Sequence, residues 1–124
     1  MKVLMIDDEE DIRKVGQLSL EVIGQMETAV AASAREGIDL AMGDRPDLIL
    51  IDMMMPGIDG VAALAELKAI PNLKDIPVIF MTARAQPGEV ASYLEKGAIG
   101  VITKPFDPMT LSTEVKRILA SVDE

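Results

Sequence analysis

Short runs of aliphatic residues alternate along the chain with longer stretches in which apolar positions recur every three or four residues. That is the pattern of repeated βα units. Five runs read as strands: Lys2 to Ile6, Met26 to Ala31, Leu48 to Ile51 entered through Asp47, Ile76 to Met81, and Ile99 to Ile102. The first, third and fourth are near-continuous in Ile, Leu, Val and Met, as strands covered on both faces are. The second is made of small residues and suits a sheet edge.

Helix signals fill the intervals. Ile12, Val15, Ser19 and Val22 share a helical register that ends near Gly24. Ser33-Ala34-Arg35-Glu36 reads as a capping box, opening a helix whose buried face is Ala34, Ile38, Ala41 and Met42. Asp59 suits the N-cap of a third helix, carrying Val61, Leu64 and Leu67 and stopping before Pro71. Pro87 fits the first turn of a fourth, and Gly97 its left-handed C-terminal cap. Asp107-Pro108 reads as N-cap and first residue of the last helix, with Leu111, Val115, Ile118, Leu119 and Val122 as its buried stripe.

Five strands and five helices in strict alternation, joined by right-handed crossovers, predict an α/β fold. It is a doubly wound five-stranded parallel sheet in the order 2-1-3-4-5, a flavodoxin-like three-layer sandwich. No repeat, linker or low-complexity stretch divides the chain, so residues 1–124 are expected to be one domain.

Composition narrows the chemistry. The chain has neither cysteine nor histidine, which excludes disulfides, thiolate chemistry, imidazole acid–base catalysis and zinc held by either residue. A net charge of −9 disfavours nucleic acid and anionic membranes as direct partners. The first apolar run is broken at Asp7, far too short for a signal or a spanning helix, so a cytoplasmic location is expected.

The ends of the strands carry the informative residues. The first delivers Asp7-Asp8, the third Asp52, the fourth Thr82, and the fifth leads through Thr103 to Lys104-Pro105. In an open α/β sheet those ends line the ligand crevice. With neighbouring strands about 4.8 Å apart, Asp7, Asp8, Asp52 and Thr82 converge, and a long lysine can reach in from a strand about 10 Å away. Crowded carboxylates repel one another, which implies a hard cation held by oxygen ligands. Carboxylates, a metal, a hydroxyl and an ammonium are the parts that phosphoryl handling requires, with one carboxylate free to attack phosphorus. Glu9, Glu10 and Asp11 are read instead as acidic first-turn residues favoured by the helix dipole. The triplet Met53-Met54-Met55 is read as loop packing, because thioethers are too soft for such a metal.

Four motifs, Met5-Ile6-Asp7-Asp8-Glu9, Asp52-Met53-Met54-Met55-Pro56-Gly57-Ile58-Asp59-Gly60, Met81-Thr82-Ala83 and Lys104-Pro105-Phe106, together resemble a response-regulator receiver domain of two-component signalling. The likeness covers essentially the whole chain and is to the stand-alone, chemotaxis-regulator type. It implies that Asp52 accepts a phosphoryl group from a phosphohistidine on a sensor histidine kinase or histidine phosphotransfer protein. It also implies that Asp8, Asp52 and the backbone carbonyl of Met54 ligate Mg²⁺, with Asp7 acting mainly through water. Thr82 and Lys104 would bind phosphoryl oxygens, and a cis bond is expected at Lys104–Pro105. Such a domain is not an enzyme beyond its own phosphorylation and slow dephosphorylation. Output is expected on the face of helix four, strand five and helix five, around Tyr93, Val101, Phe106 and Lys116, toward a protein target or a second copy.

Val101 departs from the family, many of whose members carry Tyr or Phe three residues before the lysine. Rival readings are weaker. A flavin-binding flavodoxin needs a Ser/Thr/Gly-rich phosphate loop where this chain has Asp7 to Asp11. An aspartyl phosphohydrolase usually has a second acid at the position of Met54. A pseudo-receiver that only binds partners is at odds with the intact Asp8, Asp52, Thr82 and Lys104.

Overall fold

The computed structural model describes residues 1–122. Strands β1 (Lys2–Ile6), β2 (Glu27–Ala31), β3 (Leu48–Asp52), β4 (Val78–Thr82) and β5 (Gly100–Thr103) form one parallel sheet in the order 2-1-3-4-5. Helices α1 (Glu10–Leu18), α2 (Ala34–Gly43), α3 (Gly60–Ala69) and α4 (Pro87–Glu95) make the four crossovers, and α5 (Leu111–Val122) follows β5. The expected architecture and strand order are both present.

Side chains on β1, β3 and β4 alternate between two aliphatic layers. On one face Leu4, Ile6, Ile49, Ile51 and Phe80 pack with Ile38 of α2 and Leu64 and Leu67 of α3. On the other, Val3, Met5, Leu48, Leu50, Ile79 and Met81 pack with Leu20, Val115 and Ile118. Every residue of β3 and β4 is buried, whereas the edge strands β2 and β5 are buried only in part. The continuous apolar runs were needed because helices cover both faces.

Local signals account for most helix ends. The Ser33 hydroxyl accepts the Glu36 amide at 3.2 Å, and the Glu36 carboxylate reaches back to the Ala32 amide at 3.3 Å. Asp59 caps α3 through the Ala62 amide at 2.9 Å. Pro87 opens α4, and Gly97 closes it with φ of +114°. The peptide Lys104–Pro105 is cis.

Five readings need correction. The first helix does not keep one register: α1 passes into a π-helical turn at Ser19–Ile23, in which the Gly24 amide bonds to the Ser19 carbonyl. Gly16, Ser19 and Leu20 are buried, while Val15 and Val22 are exposed. In α2 the inner face is Ala34, Gly37, Ile38 and Ala41, where Gly37 lets Ile6 press against the helix; Met42 lies outside. Strand β4 begins two residues late, because Pro77 has no amide to give a ladder and Ile76 closes a turn onto Leu73. Asp107 does not cap α5 directly. Its carboxylate accepts the Met109 amide at 2.9 Å and its carbonyl the Leu111 amide at 3.0 Å, so a separate turn precedes the helix. Val122, at the end of the α5 stripe, is exposed.

Candidate functional site

At the carboxyl ends of β1, β3, β4 and β5 an open crevice of about 360 Å³ is lined by Asp52, Met54, Thr82, Lys104 and Glu9. Asp7, Asp8, Glu9 and Asp52 each bring a carboxylate oxygen to within 4.8 Å of the others. The parallel register makes this inevitable: Ile6 lies beside Ile51, and Asp52 beside Met81, so consecutive strands end at one level.

Asp7 is fully buried and its carboxylate is spoken for. One oxygen accepts the Glu9 amide at 2.8 Å, and the other takes the Lys104 ammonium at 2.9 Å. Asp8, one residue on, points to solvent. Asp52 is buried; one oxygen accepts the Met54 amide at 3.2 Å and the other lies 3.4 Å from the Lys104 Nζ. Behind it, the start of α3 comes so close that a Cβ on Gly60 would sit 3.0 Å from both the Asp52 carbonyl and the Met53 Cα.

Lys104 crosses from the end of β5 because its own amide bonds to the Thr82 carbonyl at 2.8 Å, carrying the side chain toward β3. Its side chain is only 13% exposed. Burial alone would lower the pKa of that ammonium, but the Asp7 hydrogen bond and the charges of Asp7, Asp52 and Glu9 outweigh it, and the net direction is up. Asp52 shows the opposite balance. Burial, and then the charge of Asp7, push its carboxyl from 3.8 up to about 6, against the lowering pull of Lys104 and the Met54 amide. Asp52, behind Asp7 in its claim on Lys104, is short of positive charge.

Thr82 is buried, and its hydroxyl oxygen accepts the Arg84 amide at 3.0 Å, which leaves the hydroxyl proton free to donate. Every residue singled out from the strand ends therefore meets in one place. Two participants were missed. Glu9 is not merely a dipole residue: it makes no side-chain cap for α1, and its carboxylate reaches Lys104 at 3.4 Å. Its position directly after Asp7-Asp8 was the available signal. Arg13, half-buried on α1, donates to the Asp7 carbonyl at 2.8 Å and steadies the end of β1; nothing in the sequence marked it. Of the methionine triplet, Met53 and Met55 are buried packing, but Met54 is 70% exposed on the rim of the crevice.

A model of the response regulator receiver domain family matches residues 3–116. The chain belongs to that family. It is a receiver domain of two-component signal transduction, with the fold of chemotaxis-type regulators. The structure of Vibrio cholerae chemotaxis protein CheY4 superimposes with a TM-score of 0.87 at 30% identity, covering 94% of this chain and 97% of that one. The signal receiver domain of a signal transduction histidine kinase from Syntrophus aciditrophicus gives a TM-score of 0.81 at 36% identity, covering 99% and 92%. Among curated sequences, the probable transcriptional regulator ycf27 of Porphyridium aerugineum is 34% identical over 123 residues, which is 99% of this receiver and 50% of that protein. The chain spans about half the length of the curated relatives it matches. Among the described residues, no helix is long and apolar enough to cross a membrane.

Proposed function

We propose that this receiver accepts a phosphoryl group on the Asp52 carboxylate from a phosphohistidine of a sensor kinase or phosphotransfer protein, in a Mg²⁺-dependent reaction, and changes partner as a result. The observation that carries this reading is the buried Asp52 carboxylate held 3.4 Å from Lys104, beside Thr82, in a crevice open to solvent. The donor set suits a hard divalent cation, since it is made wholly of carboxylate and carbonyl oxygens. Asp8, Asp52 and the Met54 carbonyl would hold Mg²⁺. Asp7 would act through water, in keeping with the engagement of both its oxygens by protein donors. Bound Mg²⁺ would offset the crowded negative charge and draw electron density from phosphoryl oxygens.

The protein's own groups do the rest. Asp52 is mostly ionised at neutral pH, with its pKa near 6, and one oxygen attacks phosphorus. The new O–P bond forms as the donor's P–N bond breaks, its electron pair leaving with the imidazole nitrogen. The Lys104 ammonium, already against Asp52, neutralises an arriving phosphoryl oxygen. The Thr82 hydroxyl donates to another, which draws the loop from Ala83 to Pro87 inward. The face of α4, β5 and α5 then carries the readout to a target protein or to a second copy. There Val101 is half-buried and Lys116 exposed, while Tyr93 stands edge-on to Phe80 with ring centroids 5.6 Å apart. Mass spectrometry after incubation with acetyl phosphate and Mg²⁺ tests the reading. One phosphoryl group is expected on wild type, with none on Asp52→Asn and none with a chelator in place of Mg²⁺. Equal modification of Asp52→Asn, or an unmodified wild type, overturns it.

A further inference from the structure

Of the three consecutive methionines after Asp52, two are walled off and one is not. Met53 and Met55 are 7% and 9% exposed; Met54 is 70% exposed and lines the crevice with Asp52, Thr82 and Lys104. Its amide is bonded to the Asp52 carboxylate at 3.2 Å, which fixes its Cα beside that carboxylate while leaving the side chain free at the mouth. Met1, Met42 and Met109 are also exposed, but none of them lines this crevice. A thioether in such a place is open to oxidants and adjoins the one group whose modification the site serves.

We propose that Met54 is a redox-modification site, at which oxidation to the sulfoxide by hydrogen peroxide shortens the lifetime of the phosphoryl group on Asp52. The inference rests on the phosphoacceptor reading above. In the step, the Met54 sulfur gives an electron pair to one peroxide oxygen. An S–O bond forms, the O–O bond breaks, and the other oxygen leaves as water; sulfur is oxidised by two electrons and peroxide reduced by two. A thioether accepts hydrogen bonds only weakly and sheds water from the mouth. The sulfoxide oxygen is polar and accepts strongly, so it can hold a water beside the phosphoryl group and orient it toward phosphorus. Hydrolysis then speeds up with no change in the groups that receive the phosphoryl. Methionine sulfoxide reductases reverse the change.

The test compares phosphoryl decay in wild type and Met54→Leu, each against its own untreated sample. The protein is exposed to hydrogen peroxide, quenched with catalase, checked by peptide mass for sulfoxide at Met54, and loaded from acetyl phosphate with Mg²⁺. After donor removal, peroxide treatment is expected to shorten the wild-type half-life severalfold and to leave that of Met54→Leu unaltered. Reductase treatment should restore the wild-type value, and Met54→Gln, with a polar acceptor at the same place, should decay faster than Met54→Leu. An unchanged or longer half-life with Met54 fully oxidised overturns the proposal, as does an equal acceleration in Met54→Leu. Failure of the untreated protein to load at all would instead overturn the phosphoacceptor reading beneath it.

Discussion

Replacing Asp52 by asparagine should make the metal-free protein more stable, by an amount that the crevice lets one work out. Burial and the neighbouring Asp7 raise the Asp52 carboxyl from 3.8 to about 6, so its ionised form is disfavoured in the folded state. At 1.36 kcal/mol for each pH unit, the penalty is about 3 kcal/mol at any pH well above 6. Asparagine keeps the shape and drops the charge, but gives up the 3.4 Å contact with Lys104. That contact is already counted in the net shift, and Lys104 retains Asp7 at 2.9 Å and Glu9 at 3.4 Å, so a gain of about 3 kcal/mol is expected. Between about pH 4 and pH 6 the folded chain holds a proton that the unfolded chain has released, so wild-type stability falls as pH rises through that window. The gap between Asp52→Asn and wild type should accordingly be near zero below pH 4 and fully open at pH 8. Urea denaturation followed by circular dichroism in a chelating buffer measures it; with a slope of about 2 kcal/mol/M the midpoint moves up by roughly 1.5 M. Millimolar Mg²⁺ should narrow the gap by stabilising wild type. Equal midpoints at pH 8, or a wider gap at pH 4 than at pH 8, would refute the reasoning.

Further outcomes follow from the same geometry. Thr82→Ala should remain phosphorylatable yet lose the change in partner or self-association affinity produced by beryllofluoride, because in the proposed switch the hydroxyl links phosphoryl to loop; Val101→Ala, with no ring to reorient, should keep that change. Titration calorimetry or sedimentation with and without beryllofluoride separates the two, and a full shift in Thr82→Ala would be fatal to the coupling. In metal-free buffer the Asp52 carboxyl should take up its proton as pH falls through about 6, followed by carbon NMR of the labelled carboxyl groups, and added Mg²⁺ should move that titration to lower pH; a carboxyl titrating near 4 without metal would contradict that assignment. Gly60→Ala should lower the urea midpoint, its Cβ pressing on the backbone of Asp52 and Met53 at a cost of about 1 to 2 kcal/mol. Gly88→Ala in the first turn of α4, where a Cβ meets nothing within 4 Å, should raise the midpoint by roughly 0.5 to 1 kcal/mol.

The sheet and the crevice were legible because both depend on residues whose type is restricted at every position. A strand covered on two faces must be apolar throughout, so Leu48 to Ile51 announces itself, and whatever polar residue follows must lie at the strand end. Asp7, Asp52, Thr82 and Lys104 could be placed in this way. Helices were read less well, since only one face is restricted and the phase of that face was assumed uniform. Val15 and Val22 have the right period for a straight α-helix, but at Ser19 the chain takes a wider turn, and Gly16 and Leu20 go inward instead. Met42 misled for a related reason: the inner face of α2 runs through Ala34, Ile38 and Ala41, and Met42, one position past Ala41, turns off it. Glu9 and Arg13 were missed because an acid or a base on a first helical turn has an ordinary explanation, and only coordinates show which one turns toward Lys104 or Asp7.

The wide turn at Ser19–Ile23 also bears on how this chain's length can vary. A π turn closes its hydrogen bond across one residue more than an α turn, here from the Gly24 amide to the Ser19 carbonyl. That segment thus holds one residue in excess of what an unbroken helix would use to cover the same rise. The Ser19 hydroxyl, bonded to the Pro108 carbonyl, pins one end, and the Met26 amide, bonded to the Leu20 carbonyl, pins the other. Loss of one residue between Leu20 and Ile23 would turn the bulge into a regular helix and leave β1 and β2 where they are. In alignments of related chains, a single-residue gap belongs there rather than in the loop after Gly24, and numbering offsets between relatives would begin at that turn.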